Sequence, residues 1–169
     1  KSDVDVDIPK NASKKPNRYA LVIGNEDYTS KQSSLSVEAN VEFARNDATS
    51  FKNYLVSTLG FKDDQVVTIL DATSAQINRE TSKLIALAKL DPNSQIVFYY
   101  AGYGLPDEDT KTPYLVPVDV ATINLKENGI SLKELYIKLS SSNASKITVF
   151  LDACFSGGGR NEGLLAARS

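Results

Sequence analysis

The 169-residue sequence contains no histidine and only one cysteine. The missing histidine excludes an imidazole base from any catalytic site in this chain, and a single cysteine excludes an internal disulfide. No apolar run approaches the ~20 residues that a membrane-spanning helix needs, so we expect a soluble protein with no membrane partner. The net charge of −2 argues against nucleic-acid binding, which usually shows a basic surplus gathered on one face.

The amino-terminal segment differs in composition from the rest of the chain. Residues 1–17 are polar, mix acidic and basic side chains and include two prolines, which predicts a tether or a segment draped over the surface. Residues 18–169 are enough for one domain with a sizeable core. Because the chain starts at Lys1 rather than methionine and shows no signal-peptide pattern, we expect a fragment or a processed product, and the compartment stays open.

Short apolar runs alternate with helical patterns along residues 18–151. Predicted strands cover residues 19–24, 65–70, 95–100 and 146–151, and predicted helices cover about 37–59, 73–90 and a segment that begins at 131. This alternation predicts an α/β domain with a largely parallel sheet.

Two helix starts and one hairpin carry local sequence signals. Thr73 with Gln76, and Ser131 with Glu134, have the spacing of a capping box, in which each residue satisfies a backbone N–H of the other. The segment 113–119 contains a proline that cannot sit in a central ladder, so we predict a short hairpin there.

Polar or glycine-rich clusters follow three predicted strands, at residues 24–27, 102–104 and 152–159. Because sites in parallel sheets form at the carboxyl ends of the strands, these clusters are candidates for a functional site. A lone cysteine such as Cys154 is often only a small buried hydrophobic residue. Its position after a strand, beside Asp152 and a glycine run whose amides can hold an anion, favours a functional loop.

Five segments, in order, resemble the caspase-like superfamily of cysteine proteases, in its bacterial and metacaspase-type branch. They are residues 18–28, 44–48, 98–104, 114–119 and, for the nucleophile motif, 150–157. The resemblance spans roughly residues 18 to 160. It implies a three-layer α-β-α sandwich, of which this chain holds the large-subunit part and lacks the small-subunit strands. It also implies a bacterial protein, either cytoplasmic or exported.

The resemblance assigns roles to individual positions. Cys154 takes the position of the nucleophile, and the backbone amides of Gly104 and Cys154 would form the oxyanion hole. Asp47 and Asp152 match an acidic pair that binds the side chain before the scissile bond, which implies peptide or protein partners with arginine or lysine there. Taken alone, Asp47 fits equally well a solvated carboxylate favoured by a helix dipole.

The sequence departs from the family at Tyr103, which stands where the family has its catalytic histidine. A tyrosine, with a pKa of about 10, is a poor base at neutral pH and adds no positive charge. Since general acid–base catalysis typically contributes roughly 10²–10⁴-fold, peptidase activity should be marginal. The hypotheses are a natural pseudoprotease used for binding or regulation, an active protease inactivated by substitution, and a residually active enzyme. Tyr103 could also be only a core aromatic, although its flanking glycines favour a cleft residue.

An acidic loop and two arginines complete the candidates. Asp107, Glu108 and Asp109 could help to bind calcium, which metacaspase-type enzymes often require, although they do not match a dedicated calcium loop. No other metal or cofactor is expected. Arg160 and Arg168 are candidate processing sites for a protease that cuts after basic residues.

Two further expectations concern partners. The edge of the last strand, residues 146–151, would be exposed in a lone large subunit, so we expect a small-subunit region, a partner chain or a second copy to bind it. A nucleotide-binding module is a competing hypothesis, but the glycine run at 157–159 lacks the following Gly-Lys-Ser/Thr element of a phosphate-binding loop.

Overall fold

The computed structural model of the chain describes residues 6–11, 13–33, 39–153 and 155. Its elements are β1 (Arg18–Gly24), α1 (Ala44–Ser57), β2 (Val66–Leu70), α2 (Ser74–Ala88), β3 (Gln95–Ala101), β4 (Gly104–Pro106), β5 (Pro113–Leu115), α3 (Leu125–Asn128), β6 (Ile130–Ser131), α4 (Leu132–Ser140) and β7 (Lys146–Asp152). The main sheet has the order β2-β1-β3-β7, and all of its strand pairs are parallel.

Helices cover both faces of the main sheet. The alternating side chains of β1 and β3 divide between two apolar clusters, one shared with α2 and α4 and the other with α1. Both central strands are therefore buried on both faces, as their continuous apolar runs predict. The expected α-β-α sandwich with a mostly parallel sheet is confirmed.

The predicted helix starts had mixed outcomes. Thr73 and Gln76 form both bonds of a capping box at α2, and the Ser131 hydroxyl accepts a hydrogen bond from Glu134 N at 3.4 Å at the start of α4. The prediction of a first helix from residue 37 was wrong, because α1 begins at Ala44. The helix cannot extend further towards the amino terminus because Phe43 has a φ of +73°, which is left-handed and cannot continue a right-handed helix.

The predicted hairpin was also misplaced. Only residues 113–115 form a strand, and they pair with β4 on one side and β6 on the other in a small antiparallel sheet. The following residues turn away because their amides bind other loops: Val116 N donates to Tyr103 O at 3.0 Å, and Val118 N donates to Ala72 O at 3.2 Å.

The amino-terminal segment lies against the carboxyl end of α1. Asn11 N donates to Ser57 O at 2.6 Å, and the Lys14 ammonium donates to Val56 O. These bonds satisfy carbonyls that a helix end leaves without partners, and they place a positive charge at the negative end of the helix dipole. The segment leads into β1 at Arg18, where the predicted domain begins.

Among the described residues, no helix combines the length and the apolar character that crossing a membrane would require.

Candidate active site

The described residues of the three polar clusters meet at one edge of the main sheet. Gly24, Ala101 and Asp152 are register neighbours at the carboxyl ends of β1, β3 and β7. Backbone bonds join the loops beyond them: Asn25 N donates to Ala101 O at 2.8 Å, and Gly102 N donates to Asp152 O at 3.2 Å. The fold therefore brings together segments that lie more than a hundred residues apart in the sequence.

The loop that carries the nucleophile position docks on the loop that carries Tyr103. Cys154 itself lies outside the described residues, as do Arg160 and Arg168. Its neighbour Phe155 packs on Gly104, where an added Cβ would lie only 2.4 Å from a carbon of the Phe155 ring. Asp152 and Phe155, which flank Cys154 in the sequence, therefore contact Gly102 and Gly104, which flank Tyr103.

Tyr103 is half-buried and packs against a separate apolar cluster. Its ring centroid lies 5.0 Å from that of Tyr28, with the two rings tilted by 60°. The cluster beneath it consists of Tyr28, Val116, Val118 and Leu125. Burial raises the pKa of the Tyr103 phenol above its ordinary value, so the group remains protonated at neutral pH and cannot accept a proton there.

Two buried tyrosines hold the backbone of Tyr103. Tyr28 Oη accepts a hydrogen bond from Tyr103 N at 3.1 Å and donates to Val116 O at 2.9 Å. Tyr100 Oη lies 2.9 Å from Tyr103 O and 2.8 Å from Val116 O and can donate its proton to either carbonyl. Burial raises the pKa of both phenols, so they stay neutral donors. Sequence reasoning did not identify this pair; the phenol of Tyr100 in an otherwise apolar run was an available signal, whereas Tyr28 follows a polar loop and had none.

The two predicted substrate carboxylates lie near one another. Phe51, one helical turn after Asp47, stacks on Tyr99 with ring centroids 4.3 Å apart, and it lies 5.1 Å from Phe150, two residues before Asp152. Burial raises the pKa of Tyr99, and the negative charges of Asp152 and Asp47 raise it further. Asp152 is exposed at the end of β7, and Asp47 is partly exposed in the first turn of α1. Two carboxylates at one cleft can bind a guanidinium or ammonium group through charge-assisted hydrogen bonds.

Close packing of α1 on β1 sets the position of Asp47. An added Cβ at Gly24 would lie 2.5 Å from Ala44 O and 2.7 Å from Ala48 Cβ. Only glycine on the strand and small residues on the helix allow this approach. The first turn of α1, which contains Asp47, therefore lies close to the carboxyl end of β1, at the edge of the sheet that carries the candidate site.

A second group of charged residues lies at the same edge, and sequence reasoning missed its pairing. Arg45 Nε donates to Asp71 Oδ2 at 2.7 Å, and Arg45 also lies within 3.6 Å of Asp27 and 4.0 Å of Glu26. The other oxygen of Asp71 accepts bonds from the amides of Glu26 and Asp27, at 3.0 and 2.8 Å. Three carboxylates around one guanidinium leave this part of the edge negative, which suits a basic ligand.

Two of the three proposed calcium residues, Asp107 and Asp109, form ion pairs with a lysine. Lys126 Nζ lies 3.3 Å from Asp107 and 2.7 Å from Asp109. Asp107 also accepts bonds from the amide and the hydroxyl of Thr110, both at 2.7 Å, and these bonds lower its pKa to about 2. Within the described residues, no group of three or more metal-binding side chains is arranged to hold an ion.

Comparison with known proteins adds sequence evidence to this geometry. The family model described as the caspase domain of peptidase family C14 matches residues 17–168. Metacaspase-1 of Eremothecium gossypii is 28% identical over 156 residues, which cover 83% of this chain and 32% of that protein. The chain thus spans about a third of the length of this curated relative.

Proposed function

The chain belongs to the caspase-domain family, and from this premise we propose that it is a catalytically impaired member that binds peptides or proteins through an arginine or lysine side chain. The observation that carries the proposal is the position of Tyr103, a protonated phenol between two residues that contact the nucleophile loop. The binding part of the site is retained, whereas the base is missing.

The case for binding comes from charge and shape. Asp47 and Asp152 lie near Tyr99 at the open edge of the sheet, and the group around Arg45 adds negative charge along that edge. A basic side chain is the ligand that such a cleft would attract and orient. An acidic side chain would instead be repelled.

The case for impairment comes from proton transfer. In this family's reaction a thiolate adds to the peptide carbonyl carbon, the carbonyl oxygen becomes an oxyanion, and the leaving amine takes a proton from the histidine. Tyr103 cannot remove the thiol proton at neutral pH, because burial raises its pKa above an already high value. A thiol with a pKa near ~8.5 is only a few per cent thiolate at pH 7.

The alternative is a cysteine endopeptidase that cuts after arginine or lysine, either active as it stands or inactivated by an experimental substitution at Tyr103. The packing of Phe155 on Gly104 supports this alternative, because the contact holds the nucleophile loop beside the loop that carries the histidine position. Arg160 and Arg168 would be its candidate processing sites.

We also propose that the outer edge of β7 binds a further strand, from a small-subunit region or from a second copy. Within the described residues β7 pairs with β3 alone, and Phe150 on this strand is 43% exposed. An edge with free backbone donors and acceptors is a template for pairing. Size-exclusion chromatography with light scattering will show whether the isolated chain dimerises.

Peptide cleavage separates the two functions. Arginine- and lysine-aminomethylcoumarin peptides should not be cleaved measurably by the unmodified chain, with or without calcium, although labelled versions should bind. Tyr103→His restores the base in the same fold, and this variant should cleave the peptides faster than the unmodified chain. Robust cleavage by the unmodified chain that Cys154→Ala abolishes would overturn the impaired-enzyme proposal and support the endopeptidase.

A further inference from the structure

The hydroxyl of Tyr28 is inserted into the hydrogen-bond ladder at the end of the β4–β5 pair. Val116 N donates to Tyr103 O at 3.0 Å, as an antiparallel ladder requires. The reciprocal bond, from Tyr103 N to Val116 O, is replaced by a bridge. Tyr103 N donates to Tyr28 Oη at 3.1 Å, and the same hydroxyl donates to Val116 O at 2.9 Å. A side chain 75 positions away from Tyr103 therefore completes the ladder.

The register of these strands fixes the direction of the neighbouring Gly104 amide. Pro106 pairs with Pro113, and because proline has no N–H, the two cannot exchange hydrogen bonds. Bonded and non-bonded pairs alternate along an antiparallel ladder, so the pair of Gly104 with Leu115 is also a non-bonded one. Gly104 N–H therefore points away from β5, towards the outer edge of the small sheet.

Both backbone groups of residue 103 are held from below. Its N–H is bound by the Tyr28 bridge, and the ring of Tyr28 also lies 5.0 Å from the Tyr103 ring. Its carbonyl accepts a bond from Val116 N, and Tyr100 Oη lies 2.9 Å from the same oxygen as a second donor. Tyr28 thus contacts both the backbone and the side chain of residue 103, and it supplies the acceptor for the N–H.

We propose that Tyr28 is a positioning residue: its bridging hydroxyl and its ring direct the side chain at position 103 and the Gly104 amide towards the nucleophile loop. That loop is within reach, because Phe155 packs on Gly104 and Asp152 O accepts a bond from Gly102 N. This role rests on the proposed function for the meaning of position 103 and deepens it by naming the residue that orients it. It applies equally to tyrosine and to an introduced histidine.

Removal of the hydroxyl should release residue 103. In Tyr28→Phe the Tyr103 N–H loses its acceptor, and because an unpaired buried N–H is costly, the backbone should turn to find another partner. Each peptide unit is planar, so the side chain of residue 103 and the Gly104 amide move together. Misplacement of a catalytic group by about 1 Å can reduce the rate by roughly 100-fold.

The test uses Tyr103→His, in which the Cys154 thiol reports whether position 103 faces it. The pH midpoint of iodoacetamide alkylation should be lower in this variant than in the unmodified chain, because an imidazolium stabilises the thiolate. Tyr28→Phe in the Tyr103→His background should restore most of the difference. It should also reduce kcat for arginine peptides by about 10-fold or more and leave KM nearly unchanged, since the proposed binding carboxylates lie elsewhere.

Two further tyrosines provide matched controls. Tyr100→Phe removes a hydroxyl that is also fully buried, but Tyr103 O keeps its bond from Val116 N, so the midpoint should change much less. Tyr136→Phe removes a hydroxyl from an exposed ring on α4 and should change nothing. A general loosening of the core would instead affect Tyr28→Phe and Tyr100→Phe alike.

A second measurement needs no Tyr28 variant and therefore does not depend on how well one folds. Amide hydrogen exchange, followed by NMR in the unmodified chain, should be at least about 10-fold slower at Tyr103 N–H than in an unstructured peptide, because the bridge protects it. Exchange at the unstructured rate would mean that the bridge is not formed in solution, and would overturn the positioning role.

Three results of the alkylation experiment would also overturn it. If Tyr103→His has the midpoint of the unmodified chain, position 103 does not face the thiol. If Tyr28→Phe leaves the midpoint of Tyr103→His unchanged, or if Tyr100→Phe changes it as much, Tyr28 does not position residue 103. The proposed function fails on other results, namely robust cleavage by the unmodified chain or no binding of basic peptides, and the comparison of the two phenols stays valid in either case.

Discussion

On one face of the main sheet α2 and α4 pack side by side, and on the other face α1 packs alone. The apolar cluster on the α2–α4 face includes side chains from all four strands, among them Ile69 of β2 and Ile147, Val149 and Leu151 of β7. The α1 face covers β1, β2 and β3, but two side chains that β7 presents there are exposed. Phe150 lies 5.1 Å from Phe51 of α1 in an edge-on ring contact, and Asp152 is open to solvent.

The difference between the faces separates stability from function. The helices of the α2–α4 face begin with side-chain caps, whereas α1 begins at a left-handed Phe43 without one. Asp47 and Asp152, the candidate ligand carboxylates, both belong to the less covered face. A ligand can reach polar groups only where the covering layer ends, so the proposed function predicts binding at the incomplete face.

The largest expected effect compares two phenylalanines on opposite faces. Phe98 is fully buried against α2 and α4, and Phe98→Ala should lower the free energy of unfolding by about 3–5 kcal/mol. Phe150→Ala, at a side chain 43% exposed on the α1 face, should cost about a third of that or less. Urea denaturation of both variants measures this. Equal losses would contradict the unequal covering of the faces.

A smaller effect is expected where α1 meets β1. Gly24→Ala forces a methyl group to within 2.5 Å of Ala44 O, so the helix must shift. Overpacking of this kind typically costs about 1–3 kcal/mol, and the shift should also weaken binding of arginine peptides by displacing Asp47. Thr49→Ala, on the exposed side of α1, is the control and should change neither property. Unaltered stability and binding in Gly24→Ala would show that this contact does not position the carboxylate.

Substitutions at the helix starts on the two faces should change the free energy of unfolding in opposite directions. Thr73→Ala removes the capping box of α2 and should lower the free energy of unfolding by about 1 kcal/mol. Phe43→Gly relieves a left-handed backbone at α1 and should raise it by up to about 1 kcal/mol, because little of the lost ring is buried. Thermal melts compare the two variants. Destabilisation by both would mean that Phe43 is not strained in solution.

The smallest effect concerns pH on the α2–α4 face. Hydrogen bonds from Arg79 and Lys83 hold the pKa of Glu80 below its ordinary value of 4.5. A carboxyl with a lowered pKa stabilises the fold above its unfolded pKa, and this contribution is lost as the pH falls through the folded value. Melting temperatures from about pH 6 to about pH 3 should therefore decrease less steeply in Glu80→Gln. An identical slope would show that the pairing contributes nothing.

The features of the fold that depend on hydrophobic periodicity and on helix capping could be predicted from the sequence. The buried strands, the cap at Thr73 and the meeting of polar clusters at the sheet edge all follow from local patterns that the fold keeps. The expectation that Asp47 and Asp152 act as a pair came from the family resemblance, because the two lie on different elements and no spacing rule connects them; it stays a prediction.

Other features depend on contacts between distant segments and could not be read locally. The left-handed turn at Phe43 results from bonds to Glu26, and it moved the helix start by several residues. The backbone of Tyr103 is fixed by Tyr28, 75 positions away. In both cases the bonding partner comes near only when the sheet has formed. The conformational propensity of Phe43 or Tyr103 alone therefore does not predict the observed backbone geometry.

The state of the Cys154 thiol tests the central claim, that this chain keeps a caspase-like cleft without a base to activate it. Cys154 is the only cysteine, so the pH dependence of iodoacetamide alkylation reports on it alone. We predict a midpoint near ~8.5 or higher in the unmodified chain, and a lower one in Tyr103→His, where an imidazolium can stabilise the thiolate. A midpoint below about 7 in the unmodified chain would show that Cys154 is activated without a histidine, and would contradict the claim.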